Sequence, residues 1–274
     1  MKSTPRSQRD KQGLLLIGFV IAATILLVVA KLKTGDGHKR DAANCAGTPD
    51  TNTVIVVDRS EGISTQTLDE IRARALSFVA DSTVENERIT VFTVSDLSKD
   101  SLVPLISLCR PPMSGNQFTQ NVQSIQKQFR DKFEAPMEAA LQLKSGSSPE
   151  SPIAQALIDI SSTRYLRGRR NTLLVFSDML ENTKAFTLYG CQTPKDVVGR
   201  FRHSRLGGVE RPSFVNTKVV LNLIPRATRT PTALGCRDSL WVWFFGDDKG
   251  PDAGVRLDYL PGGLALVPTS ERVP

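Results

Sequence analysis

TVIVVDRSEGIS, residues 53–64, is the stretch on which the reading of the fold turns. Its first five residues, Thr53 to Val57, are all β-branched. So short and uniform a run marks a strand buried on both faces, as in the middle of a parallel sheet. The run ends on Asp58, and Ser60 stands two residues on. A helix signal follows. Ser64 or Thr67 can cap it, and Leu68, Ile71, Ala75, Leu76 and Val79 recur at helical spacing.

Further along the chain the same alternation returns. Arg88–Val94 (RITVFTV) and Asn171–Phe176 (NTLLVF) read as buried strands, and the second leads into another acid, Asp178 in SDM. Leu102–Cys109 (LVPLISLC) reads as an antiparallel or edge strand, because Pro104 has no N–H to give a ladder. Thr119–Leu143 is a long, polar, amphipathic helix that Pro136 kinks or divides. After the loop Lys144–Pro152, Ile153, Leu157 and Ile160 define one helical face. Lys195–His203 is a basic helix and Lys218–Ile224 a strand. Ala233–Phe245 is a helix that buries Trp241, Phe244 and Phe245, and Val255–Tyr259 is a last short strand. Strands alternating with helices imply an α/β class: a doubly wound, mostly parallel, Rossmann-like sheet with helices on both faces, over residues 53–265, with a tail at 266–274. Ligands of such sheets sit outside the carboxyl ends of the strands, which is where Asp58 and Asp178 fall.

Location is read from Gly13–Ala30, 18 residues without a charge. That length suits one transmembrane helix, expected over 13–31, after a basic tail (1–12) and before a polar linker (32–52). The pattern Val28-Val29-Ala30 leaves a cleaved signal peptide as the alternative. Basic residues flank the span on both sides and balance, so orientation rests on the cysteines. There are four, Cys45, Cys109, Cys191 and Cys236, all beyond the span, and an even number suits an oxidising compartment. The expected location is the inner membrane, single-pass, with the C-terminal domain on the periplasmic side. No CxxC pair exists and there are only two histidines, so a zinc site is not expected. The net charge of +7 gathers in Arg164–Arg170 and Arg200–Arg211. Aromatic residues, 6% of the chain, do not interleave with these runs, so a nucleic-acid platform is not expected. Solvated helix ends account for the charge as well.

Asp58, Ser60, Ser151 and Asp178 fall where one sheet edge can gather them. Two carboxylates and two hydroxyls are hard oxygen donors suited to Mg²⁺, or to Mn²⁺ or Ca²⁺. In this pattern the chain resembles the von Willebrand factor A-like domains, whose adhesion site opens with Asp-x-Ser-x-Ser after the first strand. It then adds a threonine from a later loop and an aspartate after the fourth strand. Asp58 and Ser60 match the first two positions, Gly62 stands where the third hydroxyl belongs, Ser151 takes the threonine's place, and Asp178 matches the last acid. The chain also resembles single-pass bacterial inner-membrane proteins carrying such a domain, through VVDRSEGIS, LCRPP, SPIAQAL and LLVFSDMLEN. The same residues admit a structural reading: Asp58 accepting from its turn, Ser60 and Ser151 capping helices, Asp178 capping its own loop. Arg59 can also stand in for an ion beside a carboxylate.

The resemblance to those membrane proteins implies no activity; the first reading is a membrane-anchored protein-interaction module whose rim grips an acidic residue of a partner, through a metal or directly, in an envelope assembly such as secretion or conjugation. The alternative is a metal-dependent hydrolase, such as a phosphoesterase, using the same carboxylates. Enzyme signatures are otherwise missing. There is no GxxxxGK[ST] loop and no GxSxG elbow, and a serine stands where a haloacid-dehalogenase phosphatase needs its second aspartate. A third reading is a cytoplasm-facing basic domain that touches nucleic acid. Cys45 precedes the first strand and Cys109 ends the third, while Cys191 lies in the loop after Asp178 and Cys236 opens the last helix. Those positions suggest disulfides Cys45–Cys109 and Cys191–Cys236, with buried free thiols as the alternative.

Overall fold

The computed structural model describes residues 16–29, 40–94, 103–113, 122–144, 148–225, 231–246 and 255–260. It divides into two compact units, Met1–Arg40 and Asp41–Pro274. In the first unit, residues 16–29 form helix α1, and its apolar side chains are exposed all round, Phe19 and Leu26 at 73%. The ends of the transmembrane segment expected over 13–31 lie outside the described residues. Among the described residues no helix is long and apolar enough to cross a membrane. The tails expected at 1–12 and 266–274 also lie outside them.

The second unit is built on one six-stranded sheet: β1 (Thr51–Val57), β2 (Arg88–Thr93), β3 (Ile106–Cys109), β4 (Arg170–Ser177), β5 (Thr217–Leu223) and β6 (Val255–Tyr259). The spatial order is β3-β2-β1-β4-β5-β6. Every pairing is parallel except β2 with β3, so β3 is both antiparallel and an edge. Chain direction reverses its march between β1 and β4, and that is the switch point where doubly wound sheets present ligands.

Strand periodicity sends alternate residues to opposite faces. Val54 and Val56 join a core with α5 (Ile153–Ser162), α6 (Val197–Ser204) and α7 (Pro231–Phe245). Ile55 and Val57 face the other way and pack with α2 (Thr65–Ser82) and with Phe133, Met137 and Leu141. The run Val54–Val57 is apolar throughout because both its faces are covered. Ser64 caps α2, its hydroxyl accepting from the Thr67 N–H at 3.1 Å.

The long helix expected at 119–143 is divided. α3 (Val122–Phe129) runs into a π-helical turn, Arg130–Glu134, and α4 (Ala135–Ala140) follows with Pro136 in its first turn. Pro136 has no N–H to give the ladder, and it falls where the helix passes from π to α hydrogen bonding. The basic segment is a 3₁₀ turn, Pro194–Asp196, followed by α6. Gly168 sits where β4 begins, and a Cβ there would lie 2.6 Å from the Asp50 carbonyl oxygen. Only glycine fits that approach.

Both disulfides are present in the expected pairing, Cys45–Cys109 and Cys191–Cys236, with Cα separations of 4.8 and 6.3 Å. The first ties the segment before β1 to the end of β3. The Cys109 N–H also donates to the Ala43 carbonyl at 2.8 Å, so that segment follows the edge strand. The second ties the loop after β4 to α7.

Candidate functional site

β1 and β4 are parallel neighbours with Val57 opposite Phe176, so their carboxyl ends share one rim. Asp58 leaves the first and Asp178 the second. The Asp58 N–H donates to the Phe176 carbonyl at 2.8 Å, which extends the ladder by one bond and fixes where its side chain starts.

The Asp58 carboxylate takes four hydrogen bonds. Oδ1 accepts from the Ser60 hydroxyl at 2.7 Å and the Ser60 N–H at 3.0 Å. Oδ2 accepts from the Ser177 hydroxyl at 2.9 Å and the Ser151 hydroxyl at 3.1 Å. A carboxylate offers about four lone-pair positions, so this chain's own donors fill them. The group is 5% exposed, and charge-assisted bonds of this kind are what allow a carboxylate to be buried. Its donors come from the loop after β1, the end of β4 and the segment leading into α5. Asp58 is therefore a knot that joins three segments distant in sequence.

Asp178 does different work. Its Oδ1 accepts from the Leu180 N–H at 3.0 Å, closing a turn in which Met179 takes a left-handed conformation, φ 59°. The Ser177 hydroxyl accepts from the Met179 N–H at 2.7 Å, and Trp241 Nε1–H donates to the Met179 carbonyl at 2.7 Å. An unfavourable backbone is thus held by one side chain on each flank and by α7.

Ser151 and Asn182 exchange two backbone hydrogen bonds, 2.6 and 3.1 Å, so the loop after β4 lies along the entrance to α5. Ser151 is not the cap of that helix. The N-cap is Pro152, which has no side-chain acceptor, and Glu181 supplies one from outside: its Oε2 accepts from the Ala154 N–H at 2.8 Å. Glu181 is 1% exposed. Burial pushes its pKa up from 4.5 to about 7, and the Asp58 charge raises it too, against the lowering effects of the Ala154 bond and Arg205.

Of the four residues named from sequence, the structure joins Asp58, Ser60 and Ser151 directly and places Asp178 on the same rim with its own turn. Ser177 and Glu181 were missed. Ser177 had a signal, since a hydroxyl at the last position of a buried strand adjoining an acid must find an acceptor. Glu181 had none, because the fold alone brings it to a helix it does not precede. As a cation site the cluster offers oxygen donors of suitable hardness. Its central carboxylate, however, already accepts four hydrogen bonds from the chain's own donors. The residues present fit a hydrogen-bonded knot better than an ion cage.

Beside the loop that Asn182 ties to Ser151, one cleft is basic. A cleft of about 480 Å³ lies between the loop 183–187 and α6. Lys184, Arg200 and His203 line it, all exposed, with hydroxyls from Thr183, Thr187 and Ser204 and no carboxylate. The Arg200 guanidinium lies 5.7 Å from the centre of the Phe186 ring.

No family profile and no curated protein matches the chain. Among solved structures it is similar to the VWA domain of SpRpn10, at 11% identity over 79% of this chain and 90% of that one, with a TM-score of 0.36. It is also similar to the human COPII-coat protein Sec24c, at 13% identity over 77% of this chain, with a TM-score of 0.36. The match spans 29% of that longer chain.

Proposed function

We propose that the chain is a membrane-anchored protein-interaction module of the bacterial envelope. It takes an acidic segment of a partner protein in the basic cleft beside the rim. The observation that carries this reading is the division of labour just described. The acids are buried and spent on hydrogen bonds, while the reachable side chains are Lys184, Arg200 and His203 with no carboxylate among them. Such a surface attracts acidic partners and sets their orientation. The knot at Asp58 and the Cys191–Cys236 bridge hold the cleft's loop in place, so little ordering is left for the moment of binding.

The anchor reading is supported by α1, which is apolar on every side and exposed, a character that suits lipid rather than water. The paired cysteines support a periplasmic second unit. Secretion or conjugation machinery in the envelope is the setting this proposes.

The direct test is fluorescence anisotropy with the full chain in detergent and a labelled glutamate-rich peptide. Binding should weaken with added salt and fall about tenfold or more in Lys184→Glu/Arg200→Glu. Equal affinity in the two proteins would reject the cleft.

A divalent ion at Asp58, Ser60, Ser151 and Asp178 is the second reading, favoured by the oxygen-only donor set. A phosphoesterase built on that ion has less support, because Asp58, Ser60, Ser151 and Asp178 are each 5% exposed or less.

A further inference from the structure

On the opposite face of the sheet from α5, α6 and α7, a groove of about 390 Å³ opens between α2 and strands β4, β5 and β6. It lies apart from the basic cleft, and no residue lines both. Its volume falls within the range of small-molecule sites. Phe78, Leu174, Phe176 and Val220 give it apolar walls and floor.

Within that apolar lining stands Asn222, in β5 and 2% exposed. Its Oδ1 accepts from Arg74 Nη1 at 3.0 Å. An arginine can only donate, so this contact fixes which end of the amide is oxygen. Among the described residues the amide nitrogen, Nδ2, is buried without a hydrogen-bond partner. Buried donors are nearly always satisfied, so this one calls for an acceptor.

The surrounding charges indicate the acceptor's sign. Arg74, Lys218 and Arg256 line the groove against Asp81 and Asp258. Asp258 is shared by two arginines, Arg256 at 3.0 Å and Arg74 at 3.9 Å, and Asp81 accepts from the Ser77 hydroxyl at 2.9 Å. One positive charge is therefore in excess. The geometry points to a site for a small organic carboxylate: one oxygen accepts from Asn222 Nδ2–H, and the apolar body lies on Phe78 and Val220. A carboxylate is slim enough to reach a nearly enclosed amide, and Arg74, whose side chain is 40% exposed, has the freedom to give way. The same chemistry can arrive free or as an acidic side chain of a partner, and the test separates them.

The test is nuclear magnetic resonance on the full chain in detergent, read at the side-chain NH₂ of Asn222. That resonance is identified as the one missing from Asn222→Asp, a variant that keeps the acceptor for Arg74 and replaces the donor with oxygen. Millimolar benzoate should shift the Asn222 resonance saturably, while benzyl alcohol, without the carboxylate, should not. Val220→Phe, which fills the floor and leaves Asn222 intact, should weaken the benzoate effect about tenfold or more. A short glutamate-containing peptide should act more weakly than benzoate if the site takes free acids. A peptide that shifts the resonance where benzoate does not would overturn the small-molecule assignment. A resonance insensitive to both, as for a donor merely hydrated, would overturn the site altogether, and so would an undiminished benzoate shift in Val220→Phe.

Discussion

Asp58 organises the rim by what it accepts. Removing its carboxylate orphans the hydroxyls of Ser60, Ser151 and Ser177 at once, in a region with almost no solvent. Asp58→Ala is expected to lower unfolding free energy by about 2–4 kcal/mol, checked by chemical denaturation. An effect below about 0.5 kcal/mol would mean the four bonds contribute little. Glu181 gives a pH signature. Its folded pKa of about 7 lies above the ordinary 4.5, so between those values the folded state holds the proton more tightly than the unfolded chain does. Stability therefore falls as pH rises through that window, and the loss is complete above about pH 7. Glu181→Gln keeps an acceptor for the Ala154 N–H and removes the titration. It should match the wild type below pH 4.5 and be more stable by about 1–3 kcal/mol above pH 7. Melting curves at the two ends of the window check this, and parallel pH profiles for the two proteins would refute it.

Between elements, the contacts that decide the packing are polar seams that hydrophobic patterning does not encode. Arg110 is 6% exposed and serves the end of α2: Nη1 donates to the carbonyls of Val79 and Thr83 at 2.8 and 2.6 Å, and Nη2 to that of Ala80 at 3.0 Å. It does for the last turn of a helix what a capping residue in that helix ordinarily does. Burial lowers its pKa, while Glu87 and Asp81 offset the effect. Arg110→Met should cost about 2–4 kcal/mol through the orphaned carbonyls, and hydrogen exchange should show the C-terminal turn of α2 fraying first. The strands were readable because Val54–Val57 and Leu173–Phe176 are apolar on both faces. β3 is the antiparallel edge strand expected within 102–109, but it begins only at Ile106, so Pro104 stands before it rather than in its ladder. The two disulfides followed from where each cysteine sat relative to a strand or helix. The division of the 119–143 helix by a π-helical turn was not readable, since that turn depends on seating Phe133 and Met137 under α2. The caps from Arg110 and Glu181 were equally hidden, because each residue lies far in sequence from the helix it serves.

For the molecule as a whole, the Cys191–Cys236 bridge and the knot leave the rim little freedom, and that stiffness underlies the proposed capture of a partner. Breaking Cys191–Cys236 by a double alanine substitution should lower stability by about 2–4 kcal/mol and weaken peptide binding, because the loop beside the cleft loses its tie to α7. Peptide binding unchanged by that substitution would separate the bridge from function. A C-terminal phosphatase fusion should be active, as expected for a second unit outside the cytoplasm, whereas a fluorescent fusion that lights up instead would reverse the orientation. The central claim is that the carboxylate of Asp58 is satisfied by its own chain. The most direct measurement is the thermal midpoint of the full chain in excess Mg²⁺ and in chelator. Equal midpoints are predicted, because an ion with no site on the folded state adds no linkage free energy. A midpoint raised by Mg²⁺ in the wild type, and not in Asp58→Ala, would contradict the account.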